Sequence, residues 1–254
     1  MKLPDKVFGI DTKKAYEKLL REKEEPAEND KQKILPAANI ENKDYIILPS
    51  KKYPNYSYPD ILVSIDKIHY GKTWHECHEE LSKEQSFMLT IRQYVDFINL
   101  LKSGKAYNVA GKEISQHHLN LILEEILDLK NPWHAEWLDA KFSVKGGILN
   151  KSSKIVYHKI NDNKIIELIK EELDPFTLMK DKTPGLSLDD WLKNANSHGL
   201  PTKNTANGDF YYWYPRNDAV AGFIAYADGA YLGCDRNPQD SDSVLGVRRA
   251  KIRS

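Results

Sequence analysis

The sequence predicts an α+β domain, and three observations lead there. Segments with apolar residues at helical spacing punctuate the chain, Thr90 to Leu101 and Leu119 to Leu129 being the clearest. Toward the C-terminus the pattern changes to strict alternation, the mark of extended strands whose side chains point to opposite faces. The chain has 254 residues, a formal net charge of +0 and 41% hydrophobic residues, a balance that suits one or two globular domains with a real core.

Taken in order, Thr12 to Glu25 reads as a short helix, because Ala15, Leu19 and Leu20 share a face among Glu and Lys residues that support it at i,i+4. Pro26 stops it, and the polar segment Ala27 to Lys33 reads as a linker. Residues 1–40 are therefore expected to form a helical arm and linker, and residues 41–254 the main domain. Tyr45 to Leu48 is a short apolar strand, Tyr53 to Tyr58 is aromatic and proline-rich, and Ile61 to Ile65 is a β-run.

His75 to Lys83 and Thr90 to Leu101 read as helices. In the second, Thr90 is placed to cap the start with Gln93 three residues on, Ile91, Tyr94, Val95, Ile98 and Leu101 make one apolar face, and Ser103-Gly104 ends it. Leu119 to Leu129 closes before Asn131-Pro132. Trp133 to Asn150 suggests strands ending in a Gly146-Gly147 turn, Lys154 to His158 a strand, and Lys164 to Glu172 a short helix. Leu188 to Asn194 is a helix capped by Ser187, with Asp189 and Asp190 well placed in its first turn. His198 to Pro201 then turns the chain into the aromatic run Phe210 to Tyr214.

The stretch from Asp209 to Ala250 obeys a different rule. Lys and Glu are frequent elsewhere, yet neither occurs between Lys203 and Lys251. In its first alternating run, Gly222, Ile224, Tyr226 and Asp228 interleave with Phe223, Ala225 and Ala227. In the second, Tyr231, Gly233, Asp235 and Asn237 interleave with Leu232, Cys234 and Arg236. In the third, Asp240, Asp242 and Val244 interleave with Ser241, Ser243 and Leu245. The runs break at Asp228-Gly229 and Asn237-Pro238, both turn dipeptides. One set has no common chemistry; the other is mostly small or apolar.

This stretch, closing on Leu245-Gly246-Val247-Arg248-Arg249, resembles the variable region of the variable proteins of diversity-generating retroelements, which carry a C-type-lectin-like fold. The resemblance implies a lectin-like domain of mixed short strands and flanking helices, with a variable region over 209–250. It also implies adenine-directed mutation of Asn-type codons, which reaches Asn, Asp, Tyr, Ser, Gly, Ala, Val, Ile, His and Arg among others but never Lys, Glu, Gln, Trp or Met. Every residue of the first set lies within reach, whereas Gln239 does not. The strand Ile61 to Ile65 followed by the helix at Thr90 resembles the opening of sulfatase-activating and related lectin-like domains. The segment around Lys154 to Glu172 has no place in that core and reads as an insertion.

Other chemistries find less support. Balanced charge, with no basic cluster beside an aromatic row, disfavours nucleic acid. No long apolar run predicts a membrane span, and no signal-peptide core follows Met1-Lys2-Leu3-Pro4. Cys77 and Cys234 are expected to be free thiols, Cys234 as a small core residue. His75-Glu76-Cys77-His78 holds zinc-type ligands without a second pair at regular distance, and the adjacent His117-His118 diverge by roughly 100° on a helix. Calcium-dependent sugar binding would need a Glu-Pro-Asn-type loop and a Trp-Asn-Asp strand; Arg216 precedes Asn217-Asp218 here, and Asp228, Asp235, Asp240 and Asp242 read as a solvated face. No metal and no cofactor are expected.

The sequence thus predicts a binding protein without catalysis of its own. Its exposed face is expected to carry Gly222, Ile224, Tyr226, Asp228, Tyr231, Gly233, Asp235, Asn237, Asp240, Asp242 and Val244, over a scaffold of Phe223, Leu232, Cys234 and Leu245, with Trp213 and Tyr214 beside or beneath it. Tyr gives rigid contact area at low entropy cost, and small polar residues adapt around it. The resemblance implies a protein or other macromolecule as ligand; with no signal-peptide core and no membrane span predicted, the protein itself is expected in the cytoplasm or as part of a virus-like particle or surface assembly. The alternatives are an enzyme of the sulfatase-activating, formylglycine-generating type and a structural particle protein.

Overall fold

A computed structural model describes residues 44–129, 133–144, 153–161 and 163–253, together with the backbone of three short strands nearer the N-terminus. The chain divides into two compact units, Met1–Lys31 and Gln32–Ser254. In the first unit β1 (Lys6–Val7) pairs antiparallel with β2 (Ile10–Asp11). The helix expected over Thr12 to Glu25 lies outside the described residues.

The second unit is α+β. It opens with β3 (Gln32–Lys33), β4 (Tyr45–Leu48), β5 (Lys51–Lys52), β6 (Ser57–Tyr58) and β7 (Ile61–Ile68). Helix α1 (Trp74–Lys83), the short β8 (Phe87–Met88), α2 (Ile91–Ser103) and α3 (Gln116–Leu127) follow. Then come β9 (His134–Ser143), β10 (Lys154–Ile160), β11 (Ile165–Glu172), β12 (Lys182–Leu186) and α4 (Leu188–Asn194). The chain closes with β13 (Phe210–Trp213), β14 (Val220–Tyr226), β15 (Gly229–Arg236) and β16 (Leu245–Ile252).

Among the described residues a mixed twelve-stranded sheet runs β12-β13-β15-β14-β9-β10-β11-β3, and β16 joins it to β7, β8 and β4. At its centre lies β9, antiparallel to β14 and β10 and parallel to β16. Both faces of β9 are covered, so its side chains alternate between two cores. Leu138, Ala140 and Phe142 enter the larger cluster, built with α2, α3 and α4. Ala135 and Trp137 enter a smaller one on the opposite face, closed by Trp74, Cys77 and Leu81 of α1 and by Leu245 and Val247.

The helix ends follow the capping chemistry. Thr90 accepts the Gln93 backbone N–H at 3.2 Å while the Gln93 side chain accepts that of Thr90 at 3.0 Å, a reciprocal cap. Gly104 closes α2 in the left-handed conformation at φ 71°. Ser187 caps α4 through Asp190 N–H, with Asp189 and Asp190 in the first turn. Glu76 closes a second such box with Thr73 at the start of α1, an interaction its place in the His75 to His78 cluster disguises.

Three expectations are corrected. Ile165 to Glu172 is strand, not helix: it forms a hairpin with β10 in register from Lys154↔Glu172 to Ile160↔Ile166, and Asn161 Oδ1 holds the turn by accepting the N–H groups of Asn163 and Ile165. The pairing edge beside β9 overrides the helix-like mix of Glu and Lys. Gln32 and Lys33, read as linker, pair with β11. The third alternating run, Asp240 to Val244, is not extended; strand begins at Leu245. Among the described residues no helix is long and apolar enough to cross a membrane.

Candidate functional site

The hairpin of β14 and β15 and the loop that follows carry the residues singled out from the sequence. Register places Ile224 opposite Tyr231 and Gly222 opposite Gly233, while parallel pairing with β13 sets Tyr211 beside Tyr231 and Trp213 beside Gly233. Directly paired residues share a face. The stripe across the sheet therefore reads Trp213 and Tyr211, then Gly233 and Tyr231, then Gly222 and Ile224, with Trp137 and Ala135 of β9 beyond. On the other face Phe223, Leu232 and Cys234 are buried in the larger cluster.

The stripe is exposed at one side only. Toward β9 it passes under the smaller cluster, where Ile224 is 1% exposed. Gly222 and Gly233 are buried too. A β-carbon on Gly222 would lie 3.3 Å from the Glu136 carbonyl oxygen, and one on Gly233 3.3 Å from Asp235 Oδ1. These three positions depart from the expected exposed face because Ile224 and Gly222 lie against β9 with Trp137, and Gly233 is enclosed by the side chains of Ile224, Tyr231 and Asp235. Parity reports which face a side chain takes, and not what covers it.

Away from β9 the surface opens. Tyr226 is 42% exposed, and Asp228, Asp235, Asn237 and Asp242 are exposed, with Tyr231, Asp240 and Val244 half-buried. Tyr231 packs against the smaller cluster with Trp133. Burial raises its phenol above the ordinary range, against the pull of Arg236. A register shift between Val220 and Gly222 interrupts the pairing with β15 and brings Arg236 to this side, its guanidinium 5.7 Å from the Trp133 ring centre. Arg236 also pairs with Asp240 at 3.0 Å. Partial desolvation raises the Asp235 carboxyl above the usual carboxylate range although Arg216 and Arg236 pull it down.

The loop from Asn237 to Val244 is tied by its own polar side chains. Asn237 Oδ1 accepts the Gln239 N–H and Asp242 Oδ1 the Val244 N–H, both at 3.0 Å. Such turns satisfy backbone groups locally and compete with strand pairing, which is why the alternation at Asp240 to Val244 does not become a strand. Backbone bonds moor the loop to the body: Trp74 N–H to the Pro238 carbonyl at 3.1 Å and Ala135 N–H to that of Val244 at 3.2 Å. Beside the stripe, Arg216 stacks on Tyr214 at 3.6 Å and pairs with Asp181 at 2.7 Å.

The remaining chemistry-bearing residues scatter. Cys234 and Cys77 are buried free thiols, each pushed up by desolvation, Cys77 to about 12; at neutral pH both stay protonated, the poorly nucleophilic form. His117 and His118 are exposed on α3. Of the cluster at the start of α1, His75 is exposed, Glu76 caps the helix and only His78 turns inward. No family model matches this chain, and neither does any curated protein or solved structure.

Proposed function

We propose that the open side of the β14–β15 stripe and the adjoining loop form a ligand-binding surface diversified by a retroelement, carried on a C-type-lectin-like scaffold. One placement supports this reading: Tyr226, Tyr231 and Asp235 occupy the face opposite Phe223, Leu232 and Cys234, so side chains of mixed chemistry can change while the large core beneath stays the same. The absence of Lys and Glu from Lys203 to Lys251 supports the codon origin of that mixture. Half-buried Tyr211, Trp213 and Tyr231 supply preorganised aromatic area, and Asp235 and Asp228 supply adaptable polar contacts, the composition of a paratope. A macromolecule suits this broad surface.

The test lies in the DNA around the coding region. The proposal expects a near-copy of the codons for Asp209 to Ala250, with adenine-rich triplets at Tyr226, Asp228, Tyr231, Asp235 and Asn237, beside a reverse-transcriptase reading frame. Absence of the copy, or a copy whose mismatches fall on Phe223, Leu232 and Cys234, overturns it.

A further inference from the structure

Helix α1, β9 and β10 each bring one metal-ligating side chain to a common point: His78, Asp139 and His158, with one ligand atom from each lying within 4.8 Å of the others. Each is held there independently. The Trp74 indole donates to the Leu138 carbonyl at 3.0 Å and the Trp137 indole to that of Lys72 at 3.1 Å, which docks α1 on β9. The Trp74 ring then stands 4.1 Å from the His78 imidazole and directs it at Asp139, with Nε2 3.4 Å from Oδ1. His158 donates its backbone N–H to Asp139 Oδ2 at 2.7 Å and sets Nδ1 3.1 Å from the same oxygen.

These separations belong to a coordination sphere as much as to a hydrogen-bond network. Bonds of about 2.0–2.2 Å from His nitrogen and carboxylate oxygen to a tetrahedral ion put neighbouring donors roughly 3.3–3.6 Å apart. Two of the three edges are already close to that. The His78 contact is too long for a hydrogen bond, and its Nε2 is a buried polar atom with no hydrogen-bond partner. Something other than a protein acceptor suits that nitrogen.

Asp139 is 1% exposed and the His78 Nε2 is itself buried, while the His78 and His158 side chains as a whole are 19% and 25% exposed, so what solvent access the cluster has lies on the histidine side.

We propose that His78, Asp139 and His158 bind one divalent transition-metal ion of the zinc class. The two imidazoles and one carboxylate oxygen fill three positions, and the solvent side supplies water as the fourth, the open arrangement of a three-ligand site. The ion links α1 to the centre of the sheet. Cys77 takes no part, its thiol facing the His69 and Lys72 carbonyls at 3.7 and 3.9 Å.

The experiment uses the full chain without an affinity tag, stripped with a chelator and titrated with Zn2+ against a chromophoric competitor, then with Co2+ read by visible absorption. One ion per chain is expected, with a low-coordinate Co2+ spectrum. His78→Gln and His158→Gln should each weaken binding at least about tenfold, the loss that even an outer-shell partner incurs; His75→Gln, His117→Gln and His118→Gln should change nothing. Folding of the variants is checked by circular dichroism. Histidine ring resonances of the unmodified protein give a reading independent of any substitution: Zn2+ should move those of His78 and His158 and leave the exposed His117 and His118 in place. Failure of the folded protein to take up stoichiometric Zn2+, or uptake that ignores both His78→Gln and His158→Gln, overturns the proposal.

Discussion

Arg248 grips the carboxylate of Glu136 with two parallel bonds, Nε to Oε2 at 3.1 Å and Nη2 to Oε1 at 3.0 Å, and both side chains are at most 2% exposed. Tyr94 adds its hydroxyl to Oε1 at 3.0 Å, and Arg248 also donates to the Ser64 carbonyl at 3.2 Å. The pair joins β16 to β9 where the halves of the sheet meet. Arg248→Met strands a buried carboxylate and should cost about 3 kcal/mol, the lower end for such pairs because Lys67 lends positive charge nearby. Adding Glu136→Gln removes the charge, keeps an acceptor for Tyr94, and should recover most of the loss in urea unfolding. A double variant no more stable than Arg248→Met would mean the charge is not what makes the single variant fail.

The same pair sets an acid limit. Burial pushes the Glu136 carboxyl up, but Arg248 and Lys67 override it, leaving the folded group below its ordinary 4.5. The unfolded chain then binds the extra proton first, so this contribution is complete above the unfolded carboxylate value and disappears as pH falls through the lower, folded one. Unfolding free energy measured from pH 6 down to pH 2 should fall below about pH 4.5, and the Arg248→Met, Glu136→Gln protein should fall less steeply. Equal slopes would assign the acid sensitivity to other carboxylates.

Local chemistry was readable in the sequence and distant pairing was not. Thr90 with Gln93, Gly104 and Ser187 mark helix ends by interactions spanning three residues or fewer, so the signal sits inside a short window. Glu136 and Arg248 are 112 residues apart, and Asp139 meets His78 and His158 only because α1 and β10 both pack on β9. Neither spacing nor composition carries that information. The helix expected over Lys164 to Glu172 gives way to strand for a related reason: its mix of Ile, Glu and Lys fits a helix, but the neighbouring β10 offers a full row of backbone partners. For Ile224 the face is legible from parity, while its cover of Trp137, Leu245 and α1 is a tertiary fact.

Two glycines separate backbone conformation from packing. Gly111 and Gly199 both lie in the left-handed region, at φ 73° and 84°. A β-carbon on Gly111 meets nothing within 4 Å, whereas one on Gly199 would stand 2.5 Å from backbone atoms of Ile91 and Arg92. Gly111→Ala should cost about 1 kcal/mol, for conformation alone. Gly199→Ala must also push the start of α2 away, loosening the Trp191 indole bond to the Gly199 carbonyl, and should lower the melting temperature by clearly more. Equal losses would show that the contact at α2 relaxes freely.

Ile224 and Tyr226 share a face two residues apart and should nonetheless answer oppositely to substitution. Ile224→Ala opens a cavity in the smaller core and should cost about 2–4 kcal/mol. Tyr226→Ala removes a side chain that is 42% exposed and should stay within about 0.5 kcal/mol. A library randomised along this stretch and selected for protease resistance extends the contrast. Tyr226, Asp228 and Asp235 should accept nearly any residue. Asn237 and Asp242 should keep to Asn, Asp and Ser, because their side chains hold the turns, and Ile224 should keep to apolar residues. That ordering would set the diversifiable surface at the hairpin tip and the outer side of β15, smaller than the alternation alone implies. Free acceptance of Asn or Asp at Ile224 would mean the smaller core does not close over β14, and the boundary of the proposed binding face would have to move to β9.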